Sequence, residues 1–284
     1  MAELGYINGV FTPIQEIQVS AEDRGYNFGD GVYEVTRVHK GRPFALSYHE
    51  DRLYRSLREC EISARIFPDE LTELHEVLIE QSGITEGYIY MQITRGEAPR
   101  THSFHGKRLT PNVLMWIREV TPEMLACQQG VKAIEVEYVR WLRCDIKSLN
   151  LLPNVLAHTK AEKAGAYAAL QYRDGICTEG DCCNFFVVKD GILYTHPANN
   201  LILKGITRTL ILTRVAPSAG VTVIEREFDK DFVADADEAF FTDTVGGIIP
   251  VLTISNKTVG NGEIGRVTTR LMKGYQELMD EGLA

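Results

Sequence analysis

The chain has 284 residues and a formal net charge of −9, a balance that argues against nucleic acid or an anionic membrane surface as partner. Its 44% apolar and 24% charged residues fit an ordinary globular protein, long enough for one large domain or two of common size. No stretch nears the ~18 apolar residues of a membrane span, and the start, MAELGYINGVFTP, has no cationic segment before an apolar run, so no signal peptide and a cytoplasmic protein are expected.

The opening YINGVF places Asn8-Gly9 between apolar residues, a strong hairpin signal. Residues 32–46 read as a second hairpin turning at Lys40-Gly41. SYHEDRLYRSLRECEI then has Ser47 and Glu50 in capping-box spacing and Leu53 and Leu57 on one face, which predicts a helix. PDELTELHEVLIEQSG predicts another, ending at Gly83, and GYIYMQITRG and NVLMWIREV predict two strands. These elements make a first α+β domain, 1–120. Residues 121–130, with a proline and a closing glycine, read as a linker.

The second domain, 131–284, is expected to begin with a strand over 131–143 and a helix over 151–165. Strands turning at Asp174-Gly175 and Asp190-Gly191 follow, then a helix from about Ile206, a strand in VTVIEREF and an amphipathic terminal helix. Cys60, Cys127, Cys144, Cys177, Cys182 and Cys183 show neither a CxxC pair nor Cys/His ligand spacing, so reduced thiols and no metal centre are expected.

HEDRL and HEVLI lack the second histidine of a zinc-protease motif. GxSxG and P-loop patterns are missing, and FGDGVYE lacks the third glycine of a dinucleotide fingerprint. Five segments carry more. Lys147, in RWLRCDIKSLN, sits between a predicted strand and a predicted helix, where desolvation and the cations Arg140 and Arg143 would favour a neutral amine. DRGYNFGDGVYEV is glycine-rich and carries Tyr33 into a strand. Arg52 lies on a helix with Tyr48 and Arg55, and arginine is a ready partner for phosphate. Glu179 falls in a turn entering a strand, and LKGITR puts Ile206 and Thr207 at a helix start, where backbone N–H groups attract anions. Taken singly, each is also explained as a turn, a cap or a solvated charge.

Together, RGYNFGDGVYEV, HEDRLYRS, TRGEAPRTHSF, RWLRCDIKSLNLL, TEG followed by Asn184, LYTHPANNLILKGITR and the stretch 240–251 occur in an order that resembles the class IV pyridoxal-phosphate transaminases, and within them the D-amino acid (D-alanine) transaminases. The resemblance spans nearly the whole chain. It implies a two-domain α+β protein of fold type IV, with pyridoxal 5′-phosphate between the domains, and a homodimer. It implies that Lys147 binds the cofactor covalently and moves a proton, and that Glu179 faces the pyridine nitrogen. Arg52, Ile206, Thr207 and Thr244 would hold the phosphate, with Arg140 near the ring. Tyr33, Arg100 and His102 would hold the substrate carboxylate, the last two reaching in from the partner subunit. Asp181, Cys182 and Cys183, where small hydroxyl residues are typical, and Asp243 and Gly246-Gly247 depart from the pattern.

The implied activity is ping-pong transamination between a D-amino acid and a 2-oxo acid such as 2-oxoglutarate or pyruvate. The alternatives on the same scaffold are a branched-chain L-amino acid transaminase and a 4-amino-4-deoxychorismate lyase; outside catalysis, a cofactor-binding protein without turnover. Arg100 and His102 favour the D-specific reading, and the presence of both Lys147 and Glu179 disfavours a dead binding protein.

Overall fold

In the computed structural model, which describes residues 3–64, 66–106 and 108–283, the chain divides into two units. One gathers the chain as far as Val120, the segment Ile146–Asn150 and the C-terminal residues from Gly282; the other holds Thr121–Asp145 and Leu151–Glu281.

The first unit begins with the hairpin β1 (Leu4–Ile7) and β2 (Val10–Pro13), where Asn8 and Gly9 both take positive φ. A short helix α1 (Arg24–Phe28) leads into β3 (Gly31–His39), which turns at Lys40-Gly41 into β4 (Arg42–Pro43). Helices α2 (Leu46–Glu59) and α3 (Pro68–Ser82) and strands β5 (Gly87–Thr94) and β6 (Asn112–Glu119) complete it. Among the described residues the sheet is antiparallel in the order β2-β1-β6-β5-β3-β4. Ile89, Met91 and Ile93 alternate along β5 into a core with Met115, Ile117 and the α2 residues Leu53 and Leu57, each burial stabilising by about 1.5–3 kcal/mol.

The expected capping box is not formed. Helix α2 starts at Leu46 after Ala45, whose φ is +54, so Ser47 already lies inside the first turn and no side chain caps the end. Ala45 N donates instead to Leu283 O, and Glu50 accepts from Thr72 Oγ1 of α3.

His75 of α3 is buried against β3. Its Nδ1 donates to Leu71 O at 2.8 Å, which leaves Nε2 to accept from the Thr36 hydroxyl at 3.3 Å. That pairing suits the neutral ring, and burial pushes its pKa from 6.5 to about 4. The unfolded chain therefore binds a proton that the folded chain refuses, so this residue's stabilisation is complete above pH 6.5 and is lost as pH falls toward 4. The loss is on the order of 3 kcal/mol. Urea unfolding of wild type and His75→Gln across that window is expected to show a shallower acid decline in the variant; parallel declines would contradict it.

The second unit opens with α4 (Pro122–Leu125) and a 3-10 turn at Ala126–Gln129, within the stretch 121–130 that the sequence suggested as a linker. Strand β7 (Val131–Glu137) ends six residues short of expectation. Val139, Trp141 and Leu142 face outward while Tyr138 and Arg140 are buried, so the apolar alternation of that stretch does not line a core. Then come α5 (Leu152–Lys163), the hairpins β8 (Ala168–Arg173) with β9 (Ile176–Gly180) and β10 (Asn184–Lys189) with β11 (Ile192–Thr195), and α6 (Ile206–Leu210). A π-turn at Ile211–Val215 carries α6 into α7 (Ala216–Ser218). Strand β12 (Val223–Glu225), α8 (Lys230–Ala234), β13 (Glu238–Asp243), β14 (Gly247–Ile254), β15 (Lys257–Thr258) and α9 (Arg266–Glu281) follow. The sheet order is β12-β11-β10-β13-β14-β7-β8-β9, with β15 on β14. Phe185, Phe241 and Leu170 are fully buried in its core. All six cysteines are free thiols.

Candidate functional site

In the first unit the segment holding Lys147 lies alongside β3. Tyr33 N donates to Lys147 O at 3.0 Å, Leu149 N donates to Gly31 O at 3.1 Å, and Val32 bridges to Ser148. Lys147 N donates to Ser56 Oγ of α2. The backbone is thus fixed from two elements, and the half-buried amine lies 4.1 Å from the centroid of the Tyr33 ring, within cation–π range.

One face of α2 carries His49, Arg52 and Ser56, all buried. Arg52 Nε and Nη2 donate to the two oxygens of Glu34 at 2.7 and 2.8 Å, a bidentate geometry that fixes the guanidinium plane. His49 Nδ1 contacts Glu34 Oε2 at 2.9 Å. Although burial opposes ionisation of Glu34, Arg52 and His49 hold its carboxyl far below the usual range. Burial lowers the His49 pKa, and the charges of Arg52 and Lys147 lower it further against the pull of Glu34.

Arg100 and His102 are exposed on the loop after β5. Arg24 tethers that loop by donating to Thr101 O and His102 O, and the Arg100 and His102 side chains lie against the Phe28 ring. Among the described residues neither forms a hydrogen bond or ring contact with Lys147 or Tyr33.

In the second unit Glu179 is the fourth residue of β9, not part of the turn, which begins at Asp181. Its carboxylate is buried and accepts from Tyr138 Oη at 2.8 Å, Leu203 N at 2.9 Å and Asn184 Nδ2 at 3.3 Å. A buried charge needs such donors. Burial first, then the Glu179 charge, pushes the Tyr138 phenol up, so it stays a donor. Asn184 Oδ1 in turn accepts from Gly205 N, and a Cβ on Gly205 would collide with that oxygen. Tyr138→Phe, which removes one of the donors to this carboxylate, is expected to lower kcat about 10-fold with little change in KM; steady-state kinetics checks this, and an unchanged kcat would detach Tyr138 from the reaction.

Ile206 and Thr207 begin α6, whose N-terminus has no side-chain cap. The Thr207 hydroxyl donates to Asp243 O at 2.8 Å, leaving its backbone N–H as the available donor. Asp243 Oδ1 accepts from Val245 N and Gly246 N, folding Thr244 into a tight turn beside that hydroxyl. The Asp243 carboxylate that departs from the pattern is therefore engaged in shaping its own turn. Arg140 is buried, and its Nε lacks a hydrogen-bond partner among the described residues.

The sequence profile described as amino-transferase class IV matches residues 31–254. The chain belongs to the class IV aminotransferases. It is 40% identical over 272 residues to a D-alanine aminotransferase of Staphylococcus epidermidis, covering 96% of each chain. It is also 42% identical over 269 residues to a D-alanine aminotransferase of Bacillus licheniformis, covering 95% of this chain and 94% of that one. The branched-chain amino acid aminotransferase of Escherichia coli superposes with a TM-score of 0.91 at 26% identity, covering 98% of this chain and 95% of that one.

Sequence reading of this aminotransferase missed Glu34, His49, Tyr138 and the pairing of Asn184 with Glu179. For Glu34 a signal was present: it alternates with Val32, Thr36 and Val38 on the buried face of β3, where an unpaired carboxylate would not persist. Tyr138 left no such signal.

Proposed function

We propose that this chain is a pyridoxal-phosphate-dependent D-amino acid transaminase, exchanging an amino group between a D-amino acid such as D-alanine and a 2-oxo acid such as 2-oxoglutarate or pyruvate. The observation that carries the reading is the 40% identity to a D-alanine aminotransferase over 96% of both chains, against 26% for a branched-chain enzyme of the same fold. The donor set fits the cofactor: a buried carboxylate for a ring N–H, an uncapped helix start for a phosphate, and a buried arginine nitrogen without a partner.

When bound, the cofactor supplies an electron sink for charge developing at the substrate Cα. Lys147 would hold it through its amine, and that amine would move the proton at the substrate Cα. Glu179 presents a fixed negative charge, kept in place by Tyr138, Asn184 and Leu203 N. Arg52, oriented by Glu34, would be one phosphate ligand, the N–H groups of Ile206 and Thr207 and Thr244 would be others, and Arg140 would lie near the ring. Tyr33, Arg100 and His102 hold the substrate carboxylate.

The protein acts as a homodimer in the cytoplasm. The exposure of Arg100 and His102 supports a role toward a partner, and so does that of Trp141, Leu142, Leu152, Val155 and Leu156, apolar residues available for association. No helix among the described residues is long and apolar enough to cross a membrane.

Bleaching of the holoenzyme's visible absorbance by D-alanine but not by L-alanine or L-leucine tests the reading; bleaching by L-leucine alone assigns the branched-chain reaction instead. Arg100→Leu is expected to raise KM for D-alanine steeply while sparing any trace activity on (R)-1-phenylethylamine, which has no carboxylate. Equal losses for both substrates would indicate damage to the assembly, and no loss for either removes Arg100 from the carboxylate grip.

A further inference from the structure

The turn between β9 and β10 holds Asp181 and Cys182, two of the residues that set this chain apart, and the face of α5 carrying Asn154, His158 and Glu162 lies against it. The Asp181 side chain has no exposed surface. Its Oδ2 is 2.7 Å from His158 Nδ1, while Oδ1 is buried without a partner among the described residues. Asn154 Nδ2 donates to Asp181 O, and Asn154 Oδ1 is a second buried acceptor without a donor. Burial drives the Asp181 carboxyl above the usual range although His158 pulls it down. Two unsatisfied buried oxygens are costly, and the carboxylate oxygen of Asp181 is the one suited to a cation.

One nitrogen of His158, one oxygen of Asp181 and the sulfur of exposed Cys182 lie within 4.8 Å of one another. We propose that His158, Asp181 and Cys182 form a binding site for a divalent transition-metal ion of the zinc type. Imidazole, carboxylate and thiolate together select a borderline-soft ion over calcium or magnesium. Ligand–metal distances of about 2.0–2.3 Å require the three groups to close on the ion, which half-exposed His158 and exposed Cys182 are free to do. A Zn–S bond forms as the Cys182 S–H bond breaks, and the proton leaves to solvent, so affinity falls with falling pH. The fourth position goes to water. Sequence spacing could not announce this site, because His158 and Asp181 are 23 residues apart and come together only when α5 lies on the turn.

Holoenzyme stripped with a chelator and dialysed against micromolar Zn²⁺ near neutral pH is expected to take up one ion per chain by elemental analysis. His158→Gln and Cys182→Ser, both at accessible side chains, should each weaken uptake by more than about 100-fold, beyond what loss of an outer partner costs, while the cofactor's absorbance is retained. No stoichiometric uptake by wild type overturns the proposal. So does uptake unchanged in both variants, which places the zinc on the cofactor or elsewhere. Dependence on Cys182 without dependence on His158 also overturns it, assigning the ion to the adjacent thiols.

Discussion

Lys147→Ala is expected to abolish transamination, with a fall in turnover of at least about 10⁴-fold, the upper range for loss of a positioned proton carrier alone, and to remove the visible absorbance of the lysine-bound cofactor. The fold should survive. The contacts that fix this segment run through Lys147 N to Ser56, Lys147 O to Tyr33 N and the neighbouring bonds of Ser148 and Leu149, none of which uses the side chain. The amine's own contact is with the Tyr33 ring, and its loss costs at most about 0.5–2 kcal/mol. Borohydride reduction of wild type followed by peptide mapping decides which lysine carries the cofactor. Label on Lys160, Lys163 or Lys204, all exposed in the second unit, would end this assignment. Residual turnover in the variant that responds to added small amines is compatible with it, because an exogenous amine can replace the proton carrier but not its placement.

The parts of the fold legible in the sequence are those set by local backbone chemistry. Asn8-Gly9, Lys40-Gly41, Asp174-Gly175 and Asp190-Gly191 all adopt positive φ at both positions, the geometry that a two-residue hairpin demands and that these residue pairs tolerate. Gly83 ends α3 in the left-handed region for the same reason. What failed locally was decided at a distance. Ala45 adopts a left-handed conformation that its residue type does not advertise, and so displaces the cap suggested by Ser47. Past Glu137 the strand gives way to a segment in which Tyr138 is engaged by Glu179, 41 residues away. The candidate site was found by likeness to a family, since no local rule distinguishes Lys147 from a solvated lysine. The partners of Arg52 in the first unit, Glu34 and His49, and those of Glu179 in the second, Tyr138 and Asn184, come from contacts between elements that only the folded chain brings together.

The second large effect is expected at Glu179. Glu179→Gln should slow abstraction of the Cα proton by about 10²–10³-fold, the cost of losing one preorganised electrostatic partner of the developing charge, while cofactor affinity changes much less. The substitution suits the structure. An amide oxygen turned toward Leu203 N and Asn184 Nδ2 keeps both of those bonds, and the Tyr138 hydroxyl can rotate from donor to acceptor to meet the amide nitrogen. What is lost is the negative charge, and with it, on the proposed role of Glu179, the force that would keep a ring nitrogen protonated. The contacts proposed for the phosphate at Arg52, and at Thr207 and Thr244, would not depend on that charge. Single-turnover kinetics with D-alanine and its Cα-deuterated form separates the steps: the variant should show a slower chemical phase with an undiminished isotope effect, and a cofactor content close to wild type. A proton-abstraction rate equal to wild type would place Glu179 outside the reaction. Loss of cofactor with normal chemistry in the remaining fraction would make it a binding residue only.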